Sequence, residues 1–193
     1  DVDRIFFLSD GVETITANTV DLNSELRFEG TGTWTFEDHM TTSSILHTSG
    51  ILILNNQDFT VGEFVFQSDD ATLNLGSSNF YNTVGWSTEL ADNITINPGT
   101  SNIHIGIPYD GRLTRYYFRT NGEEYHNLYV ETSAETLTIE GNNLFNDIQI
   151  VADSEVELTA GSTQSFNSLV APGTSSDNIS ITSTDAGEQA SLA

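Results

Sequence analysis

Short segments in which apolar and polar residues alternate recur along the whole chain. They include Leu26-Arg27-Phe28, Thr33-Trp34-Thr35-Phe36, Leu73-Asn74-Leu75, Ile94-Thr95-Ile96, Ile103-His104-Ile105, Leu137-Thr138-Ile139, Ile148-Gln149-Ile150 and Ile179-Ser180-Ile181. A period of two puts alternate side chains on opposite faces of an extended strand, and the β-branched and aromatic residues that fill these segments suit one. Gly, Asn, Ser, Thr and Asp separate them, as turns require. No stretch keeps apolar residues at i, i+3, i+4 and i+7 behind a capping residue, so helices are not expected. The pattern predicts an all-β chain.

The segments also repeat as larger units. Two alternating apolar residues, a turn glycine, small polar residues and a large apolar residue occur at Leu26-Arg27-Phe28-Glu29-Gly30 before Trp34, and at Leu73-Asn74-Leu75-Gly76 before Phe80. They return at Ile94 to Gly99 before Ile103, Leu137 to Gly141 before Phe145, and Val156 to Gly161 before Phe166, with a degenerate copy at Leu52 to Leu54 where Asn55 and Asn56 turn before Phe59. The turn positions are separated by 25, 21, 23, 42 and 20 residues, and 42 reads as two periods with Gly122 near its middle. A period near 22 residues is one coil of a parallel β-helix, or β-solenoid. At about 3.3 Å per residue its perimeter is roughly 60–70 Å, and about eight coils at about 4.8 Å spacing make a rod roughly 35–40 Å long. One coil cannot bury its own apolar face, so stacked neighbours must share a core. The expected lining is Leu73, Leu75, Ile94, Ile96, Leu137, Ile139, Val156 and Leu158, with Phe80, Ile103, Phe145 and Phe166 on the next face. Gly76, Gly99, Gly141 and Gly161 are expected at the corners, where a positive φ costs glycine little. The alternative is an antiparallel β-sandwich, whose strands recur every 8–12 residues; constant corner chemistry favours the solenoid. Residues 1–193 read as one elongated domain, with 108–125 as a loop insertion that breaks the repeat.

Charge changes the picture more than size does. The chain carries 28 carboxylates against five cationic residues, a formal charge of −23, and all five cations are arginines. A nucleic-acid surface is excluded on this balance, because phosphate binding needs clustered cations. Regular aromatic and β-branched spacing argues against disorder, so the carboxylates read as a solvated coat. There is no cysteine, which rules out disulfides and thiolate zinc sites. No segment is apolar for long enough to insert in a membrane. The chain starts at Asp1 without an apolar signal core, so a leader removed upstream is expected.

From Leu73 onward the chain resembles repeat regions of bacterial cell-surface proteins and of phage virion or tail proteins with a parallel β-helix architecture. The resemblance is carried by Leu75-Gly76-Ser77-Ser78, Pro98-Gly99-Thr100-Ser101, Ile139-Glu140-Gly141-Asn142-Asn143-Leu144-Phe145-Asn146, Ala160-Gly161-Ser162-Thr163-Gln164-Ser165-Phe166, Gly173-Thr174 and Ile179 to Gly187. It covers about two thirds of the chain and implies stalks, adhesins or fibres placed extracellularly, on a cell surface or on a virion. These motifs are turn and core chemistry, and activity does not follow from them. The calcium-binding nonapeptide repeat is missing.

Catalytic chemistry is sparse. His39, His47, His104 and His126 form no metal-binding pair motif, and no G-x-S-x-G elbow singles out a serine. One segment concentrates reactive side chains: Asp110, Glu123 and Glu124 beside Arg112, Arg115 and Arg119, with Tyr109, Tyr116, Tyr117 and Tyr125. Aromatic faces with arginine and carboxylate suit a carbohydrate, so Tyr109, Arg112, Arg115, Tyr116, Tyr117, Arg119 and Tyr125 are the candidate ligand-binding residues for a surface glycan. The competing reading is a loop with local ion pairs, each worth under ~1 kcal/mol. Asp69, Asp70, Asp92, Asp147, Asp153, Asp177 and Asp185 fall near expected corners, where stacked carboxylates would repel by roughly 0.9 kcal/mol per pair in water and calcium would relieve them. A structural calcium is thus the one cofactor considered; a diffuse ionic atmosphere explains the same residues. The expectation is a non-enzymatic structural or adhesive segment that self-associates or binds neighbouring subunits of a fibre or virion, since the chain stops inside a repeat at Ala190 to Ala193. The alternative is a polysaccharide-processing lyase or hydrolase, or a carbohydrate-binding module, working through 108–125.

Overall fold

A computed structural model describes residues 3–18, 20–106, 115–132 and 135–193. Among them are nineteen strands and no helix, and every strand pairing is parallel. A sandwich is built from antiparallel neighbours and is thereby excluded. The chain is a parallel β-solenoid of about eight turns with a period of about 21 residues.

Pairing defines three faces. Val12–Ile15, Thr33–Phe36, Gly50–Ile53, Ala71–Asn74 and Thr95–Asn97 form face A. In the first half, long strands bend from face B onto face C: Asp21–Phe28, Met40–His47, Phe59–Phe66 and Asn79–Ser87. The last of these shows the bend directly. Its residues 79–82 pair with Asn102–Ile105, whereas 85–87 pair with Arg115–Arg119. From there the continuity moves to a different corner. Glu124–Val130, Leu144–Ile150 and Thr163–Val170 run through the next corner onto face B, while Thr136–Ile139, Glu155–Leu158 and Ser180–Ser183 occupy face C alone.

The switch alters two sequence expectations. Gly85 and Tyr117 are adjacent although 32 residues apart, whereas Leu26 and Ile45 are 19 apart. The surplus falls before Arg115, so the expected insertion at 108–125 is too long at its C-terminal end: Arg115–Arg119 and Glu124–Val130 are ladder strands. The recurring glycine corner is also two corners. Gly76 and Gly99 (φ 62° and 56°) lie between faces A and B, and a Cβ on Gly99 would sit 2.2 Å from the Gly76 carbonyl oxygen. Gly141 and Gly161 (φ 84° and 77°) follow face C strands. The 42-residue interval is therefore one turn plus two faces, lengthened by the extra segment, rather than two periods.

Inward side chains align in columns. Leu26, Ile45, Phe64, Trp86, Phe118, Ile139 and Leu158 form an unbroken buried column on face C. Met40, Phe59, Phe80, Ile103, Leu128 and Ile148 form another on face B. Full burial of one such side chain contributes about 1.5–3 kcal/mol. The expected lining is buried, apart from Ile94, Ile96 and Phe166, which are partly covered and pack against the core.

Candidate functional site

Among the described residues, the expected ligand-binding side chains do not share one surface. Tyr109, Asp110 and Arg112 lie outside the described residues. In Arg115–Arg119 the strand alternation divides the rest: Tyr116 and Phe118 point into the core, while Arg115, Tyr117 and Arg119 point outward. Tyr116 and Tyr125 are 3% and 1% exposed, so neither offers a ring face to a glycan. Tyr125 instead accepts a hydrogen bond from the Trp86 indole N–H at 3.2 Å and donates to Glu123 at 3.4 Å. Burial, and then the Glu123 charge, raise its phenol well above the usual tyrosine range. Glu123 also accepts from the Thr88 hydroxyl and the Asn121 backbone N–H, so it closes a corner.

The outward residues form a small network on face C. Arg119 donates to Glu140 at 3.0 Å, lies 3.8 Å from Glu89, and stacks over the Tyr117 ring with its guanidinium carbon 4.7 Å from the centroid. The Tyr117 ring covers Gly85, where a Cβ would be 2.6 Å from it, and its hydroxyl donates to Glu63. Loss of solvation raises the Glu63 carboxyl above its usual range, with Arg119 opposing and Glu25 adding to the shift. Arg115 is exposed and 3.7 Å from Glu157.

A second polar system was not singled out by the sequence reading. Asn79 donates through its side-chain amide to Asp58, Asn102 to Asn79, Asn127 to Asn102, Asn146 to Asn127 and Asn167 to Asn146, at 2.8–3.2 Å. This asparagine ladder climbs the edge of face B through six turns. Each interior amide both donates and accepts, which fixes axial register where the backbone bends. Its signal was legible as an asparagine just ahead of the face B apolar residue, in Asn79-Phe80, Asn102-Ile103 and Asn127-Leu128. Beside it Tyr81, His104 and Tyr129 stack with centroids 4.6 and 4.5 Å apart, and His104 Nδ1 meets Glu131 at 3.0 Å.

Among the described residues four aspartates are engaged by the backbone, and Asp69 is the one of them expected at a corner. Asp69 accepts the N–H groups of Asp92 and Asn93, Asp38 those of Ala17 and Asn18, Asp58 that of Asn79, and Asp10 that of Thr31. The Thr31 backbone and hydroxyl bonds hold Asp10 below the usual carboxylate range. Among the described residues no group of three or more His, Asp or Glu side chains is placed to hold a metal ion. No family model, curated protein or solved structure matches the chain. The molecule is therefore identified by its architecture, a repeat protein wound as a parallel β-solenoid.

Proposed function

We propose that the chain is a non-enzymatic structural or adhesive segment of an extracellular fibre, a virion appendage or a cell-surface protein, joined axially to a neighbouring subunit or segment. The observation that carries this reading is that both ends of the described solenoid offer a parallel strand edge on face C. Asp3–Phe7 and Val12–Ile15 present faces C and A at one end; Ser180–Ser183 lies on face C at the other, and Ser191–Leu192 pairs ahead of it with Thr163–Val170. Unpaired edges template further pairing. Val12 and Leu8 are 82% and 62% exposed at the first end, and Leu192 is 43% exposed at the last. A further turn stacked on either end, whether of the same chain or of a neighbour, would extend the ladders and cover these side chains, while the acidic flanks keep rods from associating sideways.

Sedimentation velocity and negative-stain microscopy over a concentration series test the reading. Rods that lengthen in steps, and that shorten when Ser183→Pro removes an edge N–H, are expected. Monomers at every concentration, or lateral bundles, count against it. A second reading, polysaccharide processing, is favoured by one observation: Glu63 is half-buried, its pKa is raised, and it holds the Tyr117 hydroxyl. Glycan turnover lost in Glu63→Gln would establish that reading and displace the first.

A further inference from the structure

The bends between faces B and C differ in length. Asn23 and Ser24 occupy the bend of one turn where the next has only Ser43; Thr83 and Val84 likewise stand opposite Gly62 alone. Ser43 and Gly62 match one for one. Two short bends thus lie between two long ones, and the long ones form walls separated by three strand spacings, about 14 Å. Gly62 keeps the floor low, because a Cβ there would meet the Ser43 carbonyl oxygen at 2.2 Å. The result is a notch of about 190 Å³.

Its lining decides what it can hold. Asp21, Asn23, Thr41, Thr60 and Thr83 bring hydroxyl, amide and carboxylate groups, and Leu22 and Val84 bring aliphatic surface above a fully buried Val61. Thr42 and Ser43 donate their hydroxyl protons to the Ser24 carbonyl, leaving oxygen lone pairs unused. Bulged residues also leave ladder groups unpaired. On the face C rim, Glu63 follows Gly62, and the Tyr117 ring lies over Gly85 and reaches Glu63. No arginine lines the notch, and a chain of charge −23 repels anions. The volume is below the ~300 Å³ of drug-sized clefts, which leaves room for one ring. Donors and acceptors set among methyl groups, without a cation, complement a molecule with both hydroxyls and C–H faces.

We propose that this notch binds one residue of a neutral saccharide. The proposal deepens the adhesive side of the function above, and it is independent of axial stacking because it is read on single rods.

The test is amide chemical-shift titration of the whole chain with neutral hexoses and N-acetylhexosamines, and with glucuronate as the anionic control. Saturable shifts centred on Asn23, Thr41, Thr60 and Thr83 are expected with at least one neutral sugar. Thr60→Phe, which fills the notch from an outward strand position, should weaken binding at least about tenfold. Asn23→Ala, at an exposed bend, should weaken it without altering the fold and covers the case in which Thr60→Phe misfolds. Absence of saturation with every neutral sugar, shifts centred elsewhere, tighter binding of glucuronate, or undiminished binding in both variants would overturn it. Rod formation without sugar binding would leave the axial reading intact and remove only this one.

Discussion

His47 makes the solenoid sensitive to mild acid, and replacing it by phenylalanine should remove that sensitivity. The imidazole is fully buried in a column of rings, with centroids 6.2 Å from Phe28 and 5.3 Å from Phe66, and neither ring nitrogen has a hydrogen-bond partner. Burial drives its pKa from 6.5 down to about 4, and the nearby Ser49 and Gly50 backbone offsets only part of this. The unfolded chain takes up a proton near pH 6.5 that the folded chain refuses until about pH 4. Stability is therefore unaffected above about pH 7.5 and falls as pH drops through that window, by roughly 2 kcal/mol at about pH 5 and roughly 3 kcal/mol in full. At neutral pH two effects of His47→Phe compete. Removing an unpaired buried donor and acceptor gains about 1–3 kcal/mol, and the larger ring costs a similar amount if the column cannot adjust. The neutral difference is thus not the decisive quantity. Urea unfolding of wild type and variant at several pH values isolates the change with pH, because the carboxylates are common to both. The variant's advantage should grow by about 2 kcal/mol between neutral pH and about pH 5. A constant difference, or an imidazole that titrates near 6.5 in the folded protein, would refute the argument.

Other perturbations follow from the same geometry. Asn102→Ala breaks the ladder at an interior rung and leaves the Asn79 oxygen and an Asn127 amide proton unpaired; it should cost about 1–3 kcal/mol by denaturant unfolding, against less than ~1 kcal/mol for Asn167→Ala at the exposed end. Gly99→Ala combines a positive φ with a 2.2 Å approach to Gly76, whereas Gly161→Ala has a positive φ and nothing within 4 Å, so thermal melting should show a loss of about 1–2 kcal/mol for Gly161→Ala and clearly more for Gly99→Ala. Sodium chloride should raise the melting temperature by screening a net charge of −23, and calcium should add little beyond its ionic strength if the coat is diffuse; saturable calorimetric binding would instead establish a defined calcium site.

The fold was largely legible because its determinants are local and repeated. Alternation in segments such as Leu137-Thr138-Ile139 fixes which side chains face inward, and a shared core then requires equivalent positions to stack. What the pattern could not separate was one corner from another. Gly76 and Gly141 follow the same apolar-polar-apolar triplet, yet one turns from face A to face B and the other leaves face C, because any corner needs a residue that tolerates positive φ. Composition likewise drew attention to the cluster of tyrosines and arginines before the strand character of Arg115–Arg119 was weighed. Alternation puts Tyr116 inside and Tyr117 outside, and among the described residues of that cluster only Tyr117, Arg115 and Arg119 remain on the surface. The notch was invisible for a different reason: it arises from a one-residue difference in bend length between turns, which means nothing until register is known.

The acidic composition then takes on a more specific meaning than a solvated coat. Four aspartates each accept backbone N–H groups from the adjacent turn, so part of the negative charge satisfies donors that the bends would otherwise strand. Asparagine performs the same service where Asn56 accepts from Ser77 and Asn142 from Thr163, without adding charge. Asparagine could therefore meet the hydrogen-bonding need alone, and the aspartates that remain are better explained by what charge does between molecules. The unpaired edges of the rod lie at its ends, but its flat strand-built flanks can still meet face to face and aggregate sideways. A surface of one sign suppresses that contact over distances near the Debye length, about 8–10 Å at physiological salt, yet leaves end-to-end pairing, which works through short backbone bonds, open.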